Sequence, residues 1–592
     1  MNYNAPIKDM LFVINELADL PGLSQLPALQ DTSPELAQAV LTEAAKFSHD
    51  VLAPLNVVGD RHPCAWKDGV VTTAPGFKEA FAQFCAAGWQ GIAHPQDAGG
   101  QGLPKLIATA CTEIFNAANL SLSLCSLLND GVIEALLTVG TSAQRQQYIP
   151  HLLSGKWTGT MNLTEPQAGS DLALIRTQAK PQADGKYKIF GTKIFISYGD
   201  HDMAENIIHL VLARTPNAPP GVKGISLFLV PKFLLNDDGS VGARNDVHCV
   251  ALEHKLGIHA SPTAVLQFGD HGGALGELVG SENRGLECMF ILMNMARFAV
   301  GLQGIGVAER AYQKAVTYAK ERVQGNDLSG SSTAVPIIHH PDIKRMLMTM
   351  RALTEGARAV AYVAAAAYDR ALHDSNEQTR KEQRAFYELM IPVVKGYSTE
   401  KAIEITSLAL QVHGGMGFIE ETGVAQYYRD ARITAIYEGT TAIQANDLVN
   451  RKTVHDGGAA VRALCARIAH TEQLLKQRCD ACQAVSAALG HGRESIERVL
   501  NYVLAHIKSD AKAVFAGSVP YLMLLGVVTS AWQLARAMML AQDKFAQDPE
   551  FYGAKISTAQ FFSQTILCQA TSLADAVTQG GVTANALSIE QF

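Results

Sequence analysis

The chain has 592 residues, 48% of them hydrophobic and 18% charged, so it is too long for one ordinary domain and too apolar for a disordered protein. Its 49 Lys and Arg against 56 Asp and Glu leave a net charge of −7, which excludes the global basic field of a nucleic-acid binder. Ten cysteines are scattered, unlike a disulfide framework, and Met1–Met10 lacks the basic and apolar regions of a signal peptide; the expectation is a cytoplasmic multidomain enzyme.

Residues 1–160 read as helical, with Leu36, Val40 and Ala44 on one stripe and Phe81, Phe84 and Trp89 marking another segment. Residues 161–280 change texture: short β-branched or aromatic runs such as 187–197, 207–214, 225–230 and 264–268 are separated by Gly, Pro, Asn and Asp, as in an all-β module. The helical period returns over 281–452, a Gly-containing basic stretch at 450–458 reads as a linker, and 453–592 forms a further helical domain. The predicted fold is α+β and multidomain: N-terminal helices, a β-barrel-like middle domain, a helical bundle and a helical C-terminal extension. Ala513–Ala535 is free of charge, but Gly517, Pro520 and Gly526 interrupt it, so a buried helix over 520–541 is expected rather than a membrane span.

Three stretches can carry chemistry. Met161-Asn-Leu-Thr-Glu-Pro-Gln-Ala-Gly-Ser-Asp171 combines hydroxyls with a Gly169-Ser170 turn whose amides can hold a phosphate or a ring edge; an ordinary capped turn is the alternative. Phe195 and Ser197 sit two apart at a strand end and so share a face, offering either a wall and hydroxyl for a planar ring or a plain core Phe with a solvated Ser. The third runs from Gln411 through Gly414-Gly415 and Arg429-Asp-Ala-Arg432 to Tyr437-Glu-Gly-Thr440. Glu438, in an apolar setting before a helix, reads as a desolvated general base or as a carboxylate favoured by the helix dipole.

Other motifs fail. Gly304-Ile-Gly306 has Glu309 where a dinucleotide fingerprint needs its third glycine, and no strand precedes it. Cys479-Asp-Ala-Cys482 lacks a second ligand pair at zinc spacing and reads as helical thiols. His339-His340 before Pro341 reads as a helix entry. No metal site is expected.

Together the Thr164-Glu-Pro-Gln-Ala-Gly-Ser-Asp171 and Arg429-Asp-Ala…Tyr437-Glu-Gly-Thr440 motifs resemble the acyl-CoA dehydrogenase family over about 35–450, in the same helical, β, helical order. The extension resembles that of the family's longer bacterial branch, which includes dehydrogenases of 3-methylmercaptopropionyl-CoA and of fatty acyl-CoAs. The resemblance implies FAD, with Met161, Leu163 and Thr164 at the flavin edge, Gly169 and Ser170 toward the pyrophosphate or CoA, and Phe195 and Ser197 covering the ring. It gives Arg322, Gln324, Gln411, Gly414 and Gly415 to the adenine half of a neighbouring subunit's FAD, and Thr440 to the cofactor. Glu438 becomes the base that takes the α-proton of an acyl-CoA while hydride leaves for flavin N5. The Glu438 amide polarises the thioester, and Tyr437, Gly439 and Arg297 sit by the substrate. Ala296, which cannot abstract a proton, stands where other members carry the base. Departures include Phe195 for the commoner Trp, Ser197 for Thr, and an apolar Ala442.

The implied partners are an acyl-CoA and an electron-transfer flavoprotein, in a homodimer. The open alternatives are an oxygen-using acyl-CoA oxidase, a non-catalytic flavin- or CoA-binding assembly protein, and a membrane-associated helical scaffold. Acyl-chain choice is expected to depend on packing around Cys125, Leu128, Met289, Met293 and Tyr437.

Overall fold

The computed structural model describes residues 3–592, apart from the side chains of residues 290–292. The principal N-terminal helices are α1 (Pro34–Phe47), α2 (Lys105–Ala118), α3 (Leu120–Val139) and α4 (Ser142–Leu153). Their starts are written in the sequence. Ser33 Oγ accepts the Leu36 N–H at 3.2 Å ahead of Pro34, Asn119 Oδ1 accepts that of Leu122 at 3.0 Å, and Thr141 with Gln144 closes a capping box.

The middle domain is a mixed eight-stranded sheet of β1 (Trp157–Asn162), β2 (Gln178–Pro181), β3 (Tyr187–Ser197), β4 (Asn206–Ala213), β5 (Ser226–Pro231), β6 (Val247–Leu252), β7 (Thr263–Phe268) and β8 (Ala274–Val279). The order is β6-β7-β3-β8-β5-β4-β1, with β2 on β3. β1 and β4 are parallel and the other pairs antiparallel. β3 joins the two halves: residues 187–189 pair with β8 and 191–197 with β7. Because β1 starts at Trp157, the boundary expected after residue 160 falls inside a strand.

Three long helices, α5 (Gly285–Glu321), α6 (Pro341–His373) and α7 (Glu377–His413), form the second helical region with α8 (Ala425–Thr434) and α9 (Thr441–Asp447). The glycines of the failed fingerprint lie inside α5 and let backbones approach. A Cβ on Gly304 would lie 3.0 Å from Ser398 O of α7, and one on Gly306 would lie 2.8 Å from Ala117 N of α2. The fully buried Arg358 of α6 binds Asp9, Glu113 of α2 and Glu309 of α5 at 2.6–2.8 Å, locking the N-terminal segment and both helical regions together.

The extension comprises α10 (Ala459–Lys476), α11 (Asp480–His506), α12 (Ser518–Asp543), α13 (Pro549–Phe561) and α14 (Gln569–Ala584). The expected linker instead winds into a helical turn over Leu448–Val454 before Gly458. Among the described residues α3, α5 and α12 are long and apolar enough to cross a membrane by length and composition alone, but 89% of the most apolar α12 window is buried inside the protein. That helix packs against α6, α7, α11 and α14, which explains why it carries no charge before Arg536.

Candidate active site

The expected site residues fall into three groups. The first lies where β1 runs into the 163–171 loop beside β3. Ile194 N–H donates to Thr164 O at 3.0 Å, holding the loop on the strand. Met161 is buried, Leu163 and Thr164 are partly exposed, and Gly169 and Ser170 are open to solvent, with nothing within 4 Å of a Cβ at Gly169. Phe195 has a φ of 59° at a bulge in the β3–β7 register, and its ring is 59% exposed. A bulge re-aims a side chain, and this one presents an aromatic face outward. Phe195 and Ser197 both lie on the outer side, with Lys193 and Ile196 buried beneath.

Lys193 and Glu165 form the hidden strut of this group, which sequence reasoning missed. Their ion pair is 2.8 Å long and wholly buried. Glu165 also accepts from Arg176 N–H at 2.7 Å, Thr177 N–H at 3.1 Å and the Thr177 hydroxyl at 2.5 Å, while Lys193 reaches Leu163 O at 3.1 Å. Burial alone would raise the Glu165 carboxyl, but Lys193 and these donors bring it down to about 2. Burial lowers Lys193 to about 8 against the pull of Glu165. The available signal was an acid in the loop and a lysine two residues before Phe195.

The second group surrounds Glu438, which has a φ of 54° ahead of Gly439 at 89°. A non-glycine in this region is strained and persists only where its surroundings hold it. Lys395 of α7, with no exposed side chain, donates to Gly439 O at 2.7 Å, and Gln444 Nε2 reaches Glu438 O and Gly439 O at 3.2 Å each. Thr440 Oγ1 accepts Ile443 N–H at 3.3 Å and caps α9. Desolvation raises the pKa of the half-buried Glu438, with Arg297 and Lys395 opposing it. Its carboxylate makes no hydrogen bond or ion pair among the described residues. Arg297 is 3% exposed and lies 3.8 Å from Asp447, tying α5 to α9. Burial lowers Lys395 to about 8, against Glu438 and Glu400.

Tyr437 donates its hydroxyl to Gln303 of α5, whose Nε2 is buried without a partner. Gln303 lines a cavity of about 420 Å³ between α2, α3, α5 and α6. From α3 the cavity takes Ser123, Ser126, Leu127 and Gly131, while Cys125 and Leu128 are buried core residues of the same helix. The cavity also carries a polar set: His94 is 3.1 Å from Asp130 and 4.0 Å from Glu134.

The third group lies elsewhere. Tyr318 stacks on His413 at 4.3 Å, joining the ends of α5 and α7 and bringing Arg322 and Gln324 to the same end of the bundle as Gln411, Gly414 and Gly415. All five are exposed. Gly414 follows Lys395 by nineteen residues, roughly 28 Å along a helix axis, so this group does not join Glu438 within one chain. Asp246, His248 and His271 gather separately on the β domain, with ligand atoms within 4.8 Å; the sequence spacing gave no sign of this cluster.

Residues 35–156, 160–271 and 283–453 match the N-terminal, middle and C-terminal domains of acyl-CoA dehydrogenases, and 459–588 match an acetyl-CoA dehydrogenase C-terminal-like domain. The chain is 48% identical to the 3-methylmercaptopropionyl-CoA dehydrogenase of Ruegeria pomeroyi over 98% of its own length and 99% of that protein's. The chain belongs to the acyl-CoA dehydrogenase family. It is an oxidoreductase of that family with the additional C-terminal domain. The broad-specificity linear acyl-CoA dehydrogenase of Mycobacterium tuberculosis is 35% identical, with 97% of each chain covered. An acyl-CoA dehydrogenase of Bacillus anthracis, solved with FAD, has the same fold at a TM-score of 0.75 and 20% identity, covering 96% of this chain and 91% of its own.

Proposed function

We propose that this acyl-CoA dehydrogenase oxidises an acyl-CoA to its trans-2-enoyl-CoA, with Glu438 as the base for the α-proton. The supporting observation is a desolvated carboxyl with no hydrogen-bond partner among the described residues, on a strained turn held by Lys395 and Gln444, next to a residue bonded to a cavity wall. Desolvation lifts the carboxyl toward the working pH of a general base, and the absence of a competing donor leaves its lone pairs for the substrate. Arg297 and Lys395 keep a fraction ionised and orient the turn.

The cofactor is FAD, and the first group suits it: an outward aromatic face at Phe195, hydroxyls at Ser197 and Thr164, the buried Met161 and an open turn at Gly169-Ser170. FAD supplies the acceptor for the β-hydride. Thr164 and Ser197 offer hydrogen bonds to a polar ring edge, and Leu163 and Phe195 exclude water from it. Tyr437, Gly439 and Arg297 define the substrate side. Arg322, Gln324, Gln411, Gly414 and Gly415 serve the adenine half bound by a second copy in a homodimer. The exposed Val323, Leu328, Met416, Phe418 and Ile419 near them support this, since adjoining exposed apolar residues mark interfaces. Electrons pass to an electron-transfer flavoprotein in the cytoplasm, where ten free thiols are at home.

The substrate is a short acyl-CoA, with 3-methylmercaptopropionyl-CoA the first to assay, since the relative most of this chain matches acts on it. The deciding experiment is Glu438→Gln. A yellow, folded protein that binds acyl-CoA but loses at least about a thousandfold in kcat is expected, as the amide cannot take the proton. Near-normal turnover would assign the base elsewhere. Peroxide release in air without added acceptor would favour an oxidase.

A further inference from the structure

The Cys479-Asp-Ala-Cys482 motif, set aside as a zinc site, has a different geometry from a pair of inert helical thiols. Cys479 is the N-cap of the 27-residue α11, with φ −63° and ψ 163°, and Cys482 is the third residue of its first turn. Cys482 N–H donates to Cys479 O at 2.8 Å. Residues three apart on a helix have Cβ atoms about 5–6 Å apart, so at a helix start their side chains come within reach of each other. One amide from α12 holds both sulfurs: Gln542 Nε2 donates to Cys479 Sγ at 3.2 Å, and Cys482 S–H donates to Gln542 Oε1 at 3.1 Å.

The pair is asymmetric. Cys479 is exposed and Cys482 is buried. The Cys482 amide, then the Gln542 side chain and the remaining donors of the helix start, hold the Cys479 thiol below its ordinary value. Burial pushes up Cys482, and raises Cys85, Cys111, Cys249 and Cys465 to about 12. Thiolate character with exposure is what makes a cysteine reactive. The other exposed thiol, Cys568, bonds to Thr565 O at 3.1 Å and has no cysteine beside it.

We propose that Cys479 and Cys482 form a redox-active dithiol, an exposed nucleophile with a buried resolving partner, that exchanges with low-molecular-weight disulfides. The Cys479 thiolate attacks one sulfur of a disulfide such as oxidised glutathione. That S–S bond breaks and one glutathione leaves as its thiolate, taking a proton from water. Cys482 then gives up its proton and attacks Cys479 Sγ, expelling the second glutathione. Two protein thiols become one disulfide, and two electrons reduce glutathione disulfide to two thiols. The step removes the Cys482 proton from Gln542, releasing one of the two bonds between Gln542 and the thiol pair.

The test uses the full-length FAD-loaded enzyme, equilibrated with oxidised glutathione, quenched with an alkylating reagent and mapped by peptide mass. The expected result is a disulfide confined to the 479–482 peptide, reversed by reduced glutathione. Cys482→Ser should trap glutathione on Cys479, and Cys479→Ser should leave Cys482 unmodified, both at wild-type flavin content and turnover. In the reduced enzyme near neutral pH, Cys479 should alkylate at least about fivefold faster than Cys568, because the helix start and Gln542 favour its thiolate. Equal alkylation of the two, or a persistent mixed disulfide on Cys479 in wild type, would overturn the proposal.

Discussion

Replacing Lys395 by methionine removes the ammonium that holds the Glu438 turn while keeping the length of the side chain. The lost interaction is a charge-assisted hydrogen bond of 2.7 Å to Gly439 O in a site closed to solvent, worth about 1.5–3 kcal/mol. Gln444 still reaches both carbonyls at 3.2 Å, so the carbonyls are not orphaned and the turn loosens rather than collapses. If that energy holds Glu438 in its reactive pose, kcat falls roughly tenfold to a hundredfold, at 1.36 kcal/mol per decade. The pH profile separates positioning from general damage. Lys395 opposes the desolvation that raises Glu438, so its loss lifts Glu438 further and moves the acid limb of kcat/KM to higher pH. Lys395 itself sits at about 8, so wild type should lose activity as that charge disappears on the alkaline side, and Lys395→Met should lack this limb. Steady-state kinetics across pH, with flavin content and thermal melting as controls, decide the matter. A folded, flavin-loaded Lys395→Met enzyme with wild-type kcat and an unchanged profile would refute the reasoning.

The Lys193–Glu165 strut should matter for cofactor retention: Glu165→Gln leaves a buried ammonium unpaired, a loss of about 3–5 kcal/mol, and is expected to purify with a lower ratio of flavin to protein absorbance. Glu165 lies at about 2 in the folded state, below the unfolded carboxylate value, so its stabilising contribution is present above that value and fades as pH falls toward 2; denaturant melts of the Gln variant should lack that acid-side loss. In the cavity, an alkyl tail that reaches His94 and Asp130 must strip water from them, at about 1–3 kcal/mol. His94→Leu with Asp130→Leu should therefore raise kcat/KM for octanoyl-CoA relative to butyryl-CoA roughly tenfold, whereas an unchanged chain-length profile would remove these residues from specificity. At the end of the bundle Phe418 is 91% exposed; Phe418→Asp should give monomers by light scattering and weaken FAD retention, and an intact dimer would place the interface elsewhere.

Much of the layout was legible because it follows from local periodicity. The three- and four-residue stripes, the β-branched runs and the return of helical period after residue 281 reflect which faces are buried, and the structure has helices, sheet and helices in that order. The charge-free stretch of α12 up to Ala535 was readable as a buried helix because Pro520, Gly517 and Gly526 argue against a span, and Gly526 lies against Tyr397 of α7, where a Cβ would come within 2.2 Å of the ring. The first strand of the sheet was not legible because Trp157–Asn162 is buried at every position and shows no alternation to mark a strand.

The candidate site was legible only in part, and the division has a physical origin. Glu438, Phe195 and Gly169-Ser170 stand out because a motif fixes each within a few residues. Lys395 and Gln303 are distant in sequence from the Glu438 motif, and Lys193 and Gln444, though near the motifs, act as they do through hydrogen bonds to motif backbone and side chains, relations that exist only after helices and strands have packed. The walls of the cavity were hidden for a related reason. α3 is buried around much of its circumference, and its partly exposed stripe of Ser123, Ser126, Asp130 and Glu134 faces the cavity, so which helices close over that stripe is settled only once they pack. The cavity wall therefore depends on how the helices pack around α3 rather than on any motif. Two chains with the same Tyr-Glu-Gly-Thr turn can hold the same base against differently shaped cavities, so substrate preference should follow the α3 face while the chemistry stays with the turn.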